Sequence, residues 1–313
     1  MRPLRGPQPM QSALDAIDAL LARHGVTRWL AALPTAEEER TAAALAAVAE
    51  RAQDPRHGVQ GAHLEGPFLA PEHAGVHDRD LLRTPADGIP PSYHSPCVRL
   101  VTLAPELPGA LPLVRELRAR SVAVALGHSG ADARTALRAL DAGARLVTHL
   151  FNAMAPLAHR APGLAGIALA DPRALPCVIA DGHHVDPIVL RIVRAAAGDR
   201  LILVSDASAP ASTTGAVYRL AGMAVRRGAD GAVRTLDGAL AGSGTLLDEA
   251  CRTWAAATGA TAAEVVAAAS ARPAAAIGLD VGLRPGSEAD LTLTADDGSL
   301  VGVMRGGGWL TRP

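Results

Sequence analysis

The sequence predicts an α/β fold: a TIM-like (β/α)8 barrel short of its first strand, with a small remnant β-domain at the C-terminus. Three observations predict it. Short apolar runs of strand type alternate with helix-type segments along most of the chain, the pattern of a parallel α/β sheet. Four of those runs end at once in a residue that can bind metal or move protons: Val59–Leu64 in Glu65, Val122–Leu126 in Gly127-His128, Leu146-Val147 in Thr148-His149, and Leu201–Val204 in Ser205-Asp206. In such barrels the chemistry sits at the C-terminal ends of the strands. Finally, 313 residues that are 49% hydrophobic suffice for one barrel of about 250 residues with some chain left over.

Apolar Ala13, Ile17, Leu20 and Leu21 mark a first helix over Ala13–His24. Thr27–Ala32 reads as a strand, Ala36–Arg51 as an alanine-rich helix and Val59–Leu64 as a strand. Gly66–His94 is a long loop rich in His, Pro and Asp, and a loop of that length inside a compact domain is usually functional. Strand Val98–Leu103, helix Leu107–Arg120, strand Val122–Leu126 and helix Ala131–Ala142 follow, the last stopped by Gly143. Leu146–Thr148 is a strand, Asn152–Leu169 a loop, Pro176–Ala180 a strand, and Pro187–Ala197 a helix with proline in its first turn. Leu201–Val204 is the last barrel strand. Val217–Ala241 reads as hairpins, with turn signals at Arg227-Gly228 and Asp230-Gly231. Thr245–Ala257 and Ala262–Ala271 are helices, and Gly282–Leu310 returns to short strands and glycine turns. A closed barrel needs eight strands and this count gives seven, the shortfall lying ahead of the first helix. The expected division is a barrel over 1–278 and C-terminal strands of a small β-sandwich over 279–313.

Composition excludes several classes. Net charge is −1 with no basic stripe, so nucleic acid is not an expected partner. No apolar run reaches the roughly 18 residues of a membrane span. Met1–Met10 has no apolar core of the secretory type, so a cytoplasmic setting is expected. Cys97, Cys177 and Cys251 are scattered and form neither a disulfide framework nor a CxxC metal site. The chain has no lysine, so all 30 Lys-plus-Arg positions are arginine. That excludes Schiff-base catalysis and any site that bridges two ions with a modified lysine. Asn152 is the only asparagine; a GC-rich genome accounts for both scarcities.

Glu65, His128 and His149 would converge at one rim and hold one divalent ion, leaving a fourth position for water. A lone histidine after a strand is more often a hydrogen-bonded structural residue; the set of three is what points to metal. Asp206 is either a general base, taking a proton from water and returning it to a leaving amine, or a turn aspartate in Ser-Asp-Ala-Ser. Of the neighbours His183 and His184, one is expected to face the site. His77, in the long loop, is solvated or functional. Arg160 has few carboxylates nearby and suits a phosphate, or is an ordinary surface arginine.

Taken together, nine segments resemble the N-acetylglucosamine-6-phosphate deacetylase family of the amidohydrolase superfamily, in family order over residues 12–310. They are His-Leu-Glu-Gly-Pro-Phe at 63–68, Ala-Gly-Val-His at 74–77, Val-Thr-Leu-Ala-Pro-Glu at 101–106, Gly-His-Ser-Gly at 127–130 and Thr-His-Leu-Phe-Asn-Ala-Met at 148–154. Arg-Ala-Pro-Gly-Leu at 160–164, Ala-Asp-Gly-His-His-Val at 180–185, Val-Ser-Asp-Ala at 204–207 and Leu-Ala-Gly-Ser at 240–243 complete them. The resemblance implies metal ligation by Glu65, His128 and His149, with zinc, or else iron or another divalent ion. It implies Asp206 as base and then acid, His77 on the acetyl carbonyl, His184 on the sugar, and Asn152, Ala153 and Arg160 on a 6-phosphate, the first two partly through backbone. The implied reaction converts N-acetylglucosamine 6-phosphate to glucosamine 6-phosphate and acetate, in a homodimer.

Two departures from the family stand out. Members begin with side-domain strands and a first barrel strand often ending in His-x-His, whereas this chain opens in the first barrel helix. That leaves an upstream start or a paralogue without the strand as the expectations, the first favoured. Ala161 stands where the family usually has an acidic residue. Two other readings stay open: an amidohydrolase for a different N-acyl substrate, and a truncated, inactive barrel kept for binding.

Overall fold

The computed structural model describes residues 10–212 and 216–312. Helix α1 (Met10–Arg23) leads into strand β1 (Trp29–Pro34), then α2 (Glu38–Ala52), β2 (Val59–Glu65), β3 (Val98–Leu103), α3 (Ala110–Ala119), β4 (Ala123–Leu126), α4 (Ala133–Ala142) and β5 (Leu146–Val147). Helix α5 (Gly163–Ala170), β6 (Leu175–Ile179), α6 (Pro187–Ala197) and β7 (Ile202–Val204) complete the alternating part. Strands β1 to β7 form one seven-stranded sheet in sequential order, and every pair is parallel.

The sheet is curled. Flat strands lie about 4.8 Å apart, which would separate β2 from β7 by about 24 Å. Yet Glu65, ending β2, and Asp206, just past β7, act on each other's charge. Among the described residues no eighth strand joins β7 back to β1, as the strand count predicts. β4 is buried at all four positions, as expected of a strand covered on both faces. The helices are stopped by local chemistry: Asp132 caps α4 by accepting from the Thr135 N–H at 2.7 Å, and Gly143 ends it at φ 115°. Asp186 caps α6 ahead of Pro187.

One segment departs from the sequence reading. The loop expected over Asn152–Leu169 contains α5. Its sequence, Gly-Leu-Ala-Gly-Ile-Ala-Leu-Ala, carries no polar face, so no helical period was visible. The long loop 66–94 folds into four single 3₁₀ turns at Pro71–His73, Arg79–Leu81, Pro85–Asp87 and Pro91–His94, three of which have proline in the first turn.

After β7 come β8 (Val217–Leu220), β9 (Met223–Arg227) and β10 (Val233–Thr235), an antiparallel sheet. Its small core of Val225, Val233 and Ala241 packs on Val76, the neighbour of His77. Helix α7 (Leu247–Thr258) and a continuous run of α8 (Ala262–Val266), a π turn (Ala267–Ala271) and α9 (Arg272–Ala276) follow. Strands β11 (Leu291–Thr294), β12 (Leu300–Arg305) and β13 (Gly308–Thr311) make a second antiparallel sheet beside α1.

Arg305 pins that sheet to the barrel. Its side chain is 1% exposed. It donates to the Asp18 carboxylate at 2.7 and 3.1 Å, to Thr27 O at 2.8 Å and to Arg56 O at 2.9 Å. Gly58 leaves the room: a Cβ there would lie 2.5 Å from the guanidinium. Arg305→Leu would strand Asp18 and two carbonyls without a cation. We expect it to cost about 3–5 kcal/mol of unfolding free energy, measured by denaturant titration; a loss under about 1 kcal/mol would refute the burial of this pair.

Candidate metal centre and active site

Glu65 is the last residue of β2 and shares an inward face with His63, two residues earlier. His128, His149 and Asp206 each follow a strand, β4, β5 and β7 in turn, by two residues. His128, His149 and Asp206 have φ values of 48°, 26° and 47°. Left-handed backbone costs a non-glycine residue about 1–3 kcal/mol and persists only where the surroundings enforce it. Here it turns each side chain back over the end of the sheet. Gly127 permits the approach of β4 and β5 that this needs, since a Cβ there would lie 2.2 Å from Thr148 Cγ2.

Three atoms converge. Glu65 Oε1 lies 3.1 Å from His128 Nε2 and 3.2 Å from His149 Nε2, and the two Nε2 atoms are 3.1 Å apart. The other ring nitrogens face backbone carbonyls: His128 Nδ1 is 2.8 Å from His73 O, and His149 Nδ1 is 3.1 Å from Asn152 O. A carbonyl only accepts, so both Nδ1 atoms donate, and each neutral imidazole presents a lone pair at Nε2. Two lone pairs and a carboxylate oxygen therefore meet with no donor among them unless a proton or a cation intervenes. A tetrahedral ion with bonds of about 2.0–2.1 Å keeps its donors about 3.3–3.4 Å apart, close to the spacing found. The three residues fit a divalent cation.

His77 is 4% exposed and also within reach, its ligating atom lying with those of Glu65 and His128 inside 4.8 Å of one another. Its tautomer is the opposite one. The Thr35 N–H donates to His77 Nδ1 at 3.2 Å, so the neutral ring carries its hydrogen on Nε2. Burial, with the neighbouring imidazoles, pushes its pKa down to about 4, so it is neutral at pH 7. His77 thus offers a donor where His128 and His149 offer acceptors.

Burial pushes Glu65 up, but hydrogen bonds from His128 and His149 when their Nε2 atoms are protonated hold it well below the usual carboxylate range. Asp206 goes the other way: burial and the Glu65 charge push it up to about 6. Among the described residues no donor reaches its carboxylate; its carbonyl accepts from Ser243 N at 2.9 Å. The adjacent histidines do diverge. His183 Nε2 turns to Asp230 O at 3.1 Å, and His184 Nδ1 to Asp181 Oδ2 at 2.7 Å. Asp181 also accepts from both histidine backbone N–H groups and from Ser243 Oγ; His184 Nε2 has no hydrogen-bond partner among the described residues, and the ring lies near enough for its charge to act on Asp206.

Glu65, His77, His128, His149, His184 and Asp206 are thereby brought together. The remaining three residues read from the sequence are not part of that cluster. Asn152 donates through Nδ2 to His149 O and Leu150 O, at 3.3 and 3.1 Å, and through its backbone N–H to His149 O at 2.9 Å. All its donors serve the turn. The Ala153 N–H, at φ 49°, donates to nothing among the described residues. Arg160 is exposed on a tight turn closed by two 3.1 Å bonds between Ala158 and Ala161, with no ion pair among the described residues. Sequence reasoning missed Thr35 and Asp181, which orient His77 and His184. Asp181-Gly182 carried an Asx-turn signal; Thr35 carried none.

Residues 17–310 match the profile of the amidohydrolase family. The chain belongs to that family. Amidohydrolases are metal-dependent hydrolases, and the Glu–His cluster is suited to a metal. N-acetylgalactosamine-6-phosphate deacetylase of Escherichia coli O157:H7 is 39% identical over 299 residues, 91% of this chain and 78% of that one. Human N-acetylglucosamine-6-phosphate deacetylase is 37% identical over 300 residues, 89% of this chain and 72% of that one. Among solved structures, the Mycobacterium smegmatis N-acetylglucosamine-6-phosphate deacetylase, a mutant in complex with N-acetylglucosamine 6-phosphate, superimposes with a TM-score of 0.88 at 33% identity, covering 96% of this chain and 82% of that one. The Thermotoga maritima deacetylase gives 0.92 at 25% identity, covering 98% and 85%. No helix of this amidohydrolase among the described residues is long and apolar enough to cross a membrane.

The charges set a pH dependence. Burial lowers the His149 pKa, but the hydrogen bond and charge of Glu65 outweigh it and raise the value above 6.5. Without metal, protonated His149 on Glu65 stabilises the fold fully below pH 6.5, and this is lost as pH rises through the raised folded value. Metal must displace that proton. Zinc at 100 times its Kd should therefore add about 2.7 kcal/mol at pH 8, shrinking toward pH 5. Thermal melts with and without zinc check this; an effect that grew toward pH 5 would refute it.

Proposed function

We propose that this amidohydrolase removes the acetyl group from N-acetylglucosamine 6-phosphate, releasing glucosamine 6-phosphate and acetate. The observation that carries the reading is the meeting of Glu65, His128 and His149 at 3.1–3.2 Å beside Asp206, in a chain whose relatives are named for this chemistry. Those three residues would hold one divalent ion, which we take to be zinc. When bound, the ion supplies Lewis acidity to water and to the amide carbonyl.

The rest of the chemistry falls to the chain. Asp206 takes a proton from the attacking water as its oxygen bonds to the acetyl carbon. It returns that proton to the nitrogen as the C–N bond breaks. His77 Nε2–H donates to the carbonyl oxygen as negative charge gathers there. His184, fixed at Nδ1 by Asp181, turns Nε2 to a sugar hydroxyl. The free Ala153 N–H and the Arg160 guanidinium take the 6-phosphate, on a turn shaped by Asn152. The same proposal takes 1–278 as the catalytic unit with 279–313 appended, and a cytoplasmic homodimer.

A second substrate has a specific observation behind it: the relative at 39% identity is named for the galacto epimer. Acetate release from both epimers, compared as kcat/KM with zinc present, decides between them. Asp206→Asn should lower kcat by about 10²–10⁴ while zinc stays bound; a variant that kept most of its rate would overturn the mechanism. Arg160→Ala should raise KM for the phosphorylated sugar at least tenfold, the share of a charge-assisted contact of about 1.5–3 kcal/mol. An unchanged KM removes Arg160 from the site.

A further inference from the structure

The segment Val-Thr-Leu-Ala-Pro-Glu at 101–106 ends in an acid that the proposed chemistry does not use. Glu106 lies three residues past β3, exposed to solvent, with no cation beside it among the described residues. Its carboxylate faces the loop after β4 instead. Oε2 accepts from the Ser129 hydroxyl at 2.7 Å, and Oε1 from the Gly130 N–H at 2.6 Å. Those are the two residues after His128.

Ser129 is a junction. It is fully buried. Its N–H donates to Ala153 O at 3.1 Å and its carbonyl accepts from Ala155 N at 3.2 Å, a parallel bridge that ties the loop after β4 to the loop after β5. Its Oγ accepts from the Ala131 N–H at 3.0 Å while donating to Glu106. Asn152, next to the bridged Ala153, supplies the carbonyl that fixes His149. One carboxylate therefore anchors the backbone at both imidazoles, at the points where φ is 48° at His128 and 49° at Ala153. Left-handed residues hold only where surrounding bonds enforce them, and bonds to an ionised acceptor are about twice as strong as neutral ones.

We infer that Glu106 is a positioning residue for the metal centre: through Ser129 and Gly130 it holds His128 and His149 in ligating geometry without touching the ion. The inference rests on the proposed metal site. Outer hydrogen-bond partners of metal ligands typically change affinity 10- to 100-fold. Zinc affinity, measured by chelator competition without substrate, should fall about that much in Glu106→Ala and less in Glu106→Gln, whose amide oxygen still accepts one bond. Losing the acceptor of the buried Ser129 hydroxyl should lower the melting temperature of the metal-free protein by only about a few degrees, leaving it folded where zinc is measured. Ser129→Ala should weaken zinc as well, and the double variant by less than the product of the two single losses. Glu116→Ala, an exposed carboxylate on α3, should leave zinc binding alone.

Wild-type zinc affinity in Glu106→Ala, losses that multiply in the double variant, or a metal-free Glu106→Ala protein without a cooperative melt, so that weak zinc binding reports only a lost fold, would each overturn the inference. The affinity readout separates it from the proposed activity. A wild-type chain that binds zinc and releases no acetate overturns the activity alone. Intact deacetylation with undiminished zinc affinity in Glu106→Ala overturns the inference alone.

Discussion

The candidate site is built around three atoms, two imidazole nitrogens and a carboxylate oxygen, held at 3.1–3.2 Å, with no donor between them unless a proton or a cation enters. With neither, such a cluster is unfavourable: lone pairs and a carboxylate repel, and burial makes each charge costlier; a proton on His149 relieves it at low pH and a metal ion can relieve it at higher pH. It survives because the fold pins every member separately. The curled sheet brings the ends of β2, β4 and β5 to one point, and the left-handed residues aim the side chains inward. A site that is costly without a cation is a site with affinity for one.

The loops, more than the strands, decide what each histidine can do. His128 and His149 face backbone carbonyls through Nδ1 and so present lone pairs to the centre. His77 faces a backbone N–H through the same atom and so presents a hydrogen. Three imidazoles in contact, with ring centroids 4.8 Å apart in each adjoining pair, divide into two acceptors and one donor by one rule. Whichever backbone group lies behind the ring sets the tautomer. Asp181 does for His184 what the carbonyls do for His128 and His149, with a carboxylate in their place.

This is also why the sequence disclosed some of the site and hid the rest. A strand followed at once by His, Glu or Asp is a local pattern, so Glu65, His128, His149 and Asp206 were legible, as were seven strands whose apolar runs are short and cleanly bounded. Which nitrogen carries a proton depends on groups far along the chain, such as Thr35 for His77, and no local pattern encodes it. Asn152 drew notice as the sole asparagine, yet its amide serves the turn beneath His149. Helix α5 stayed hidden because it lacks a polar face, and the period that reveals a helix is the alternation of two faces.

Among the described residues β1 pairs with β2 alone, and still the residue after it, Thr35, fixes His77. A strand with one neighbour has half the ladder to hold it, so other bonds must keep that corner rigid. They come from the proline-rich loop. Glu38, in the first turn of α2, accepts from the Ser92 N–H at 2.8 Å and its hydroxyl at 2.9 Å. Next to Ser92, buried Tyr93 donates to Gly66 O at 2.9 Å and packs on Phe68 at a ring distance of 5.1 Å. Gly66 in turn sits against Thr35, whose Oγ1 would lie 2.1 Å from a Cβ there. The loop that carries His77 thus closes on the strand end that orients it. The donor at His77 Nε2 is held by a ring of side-chain bonds where a second strand would otherwise supply a ladder.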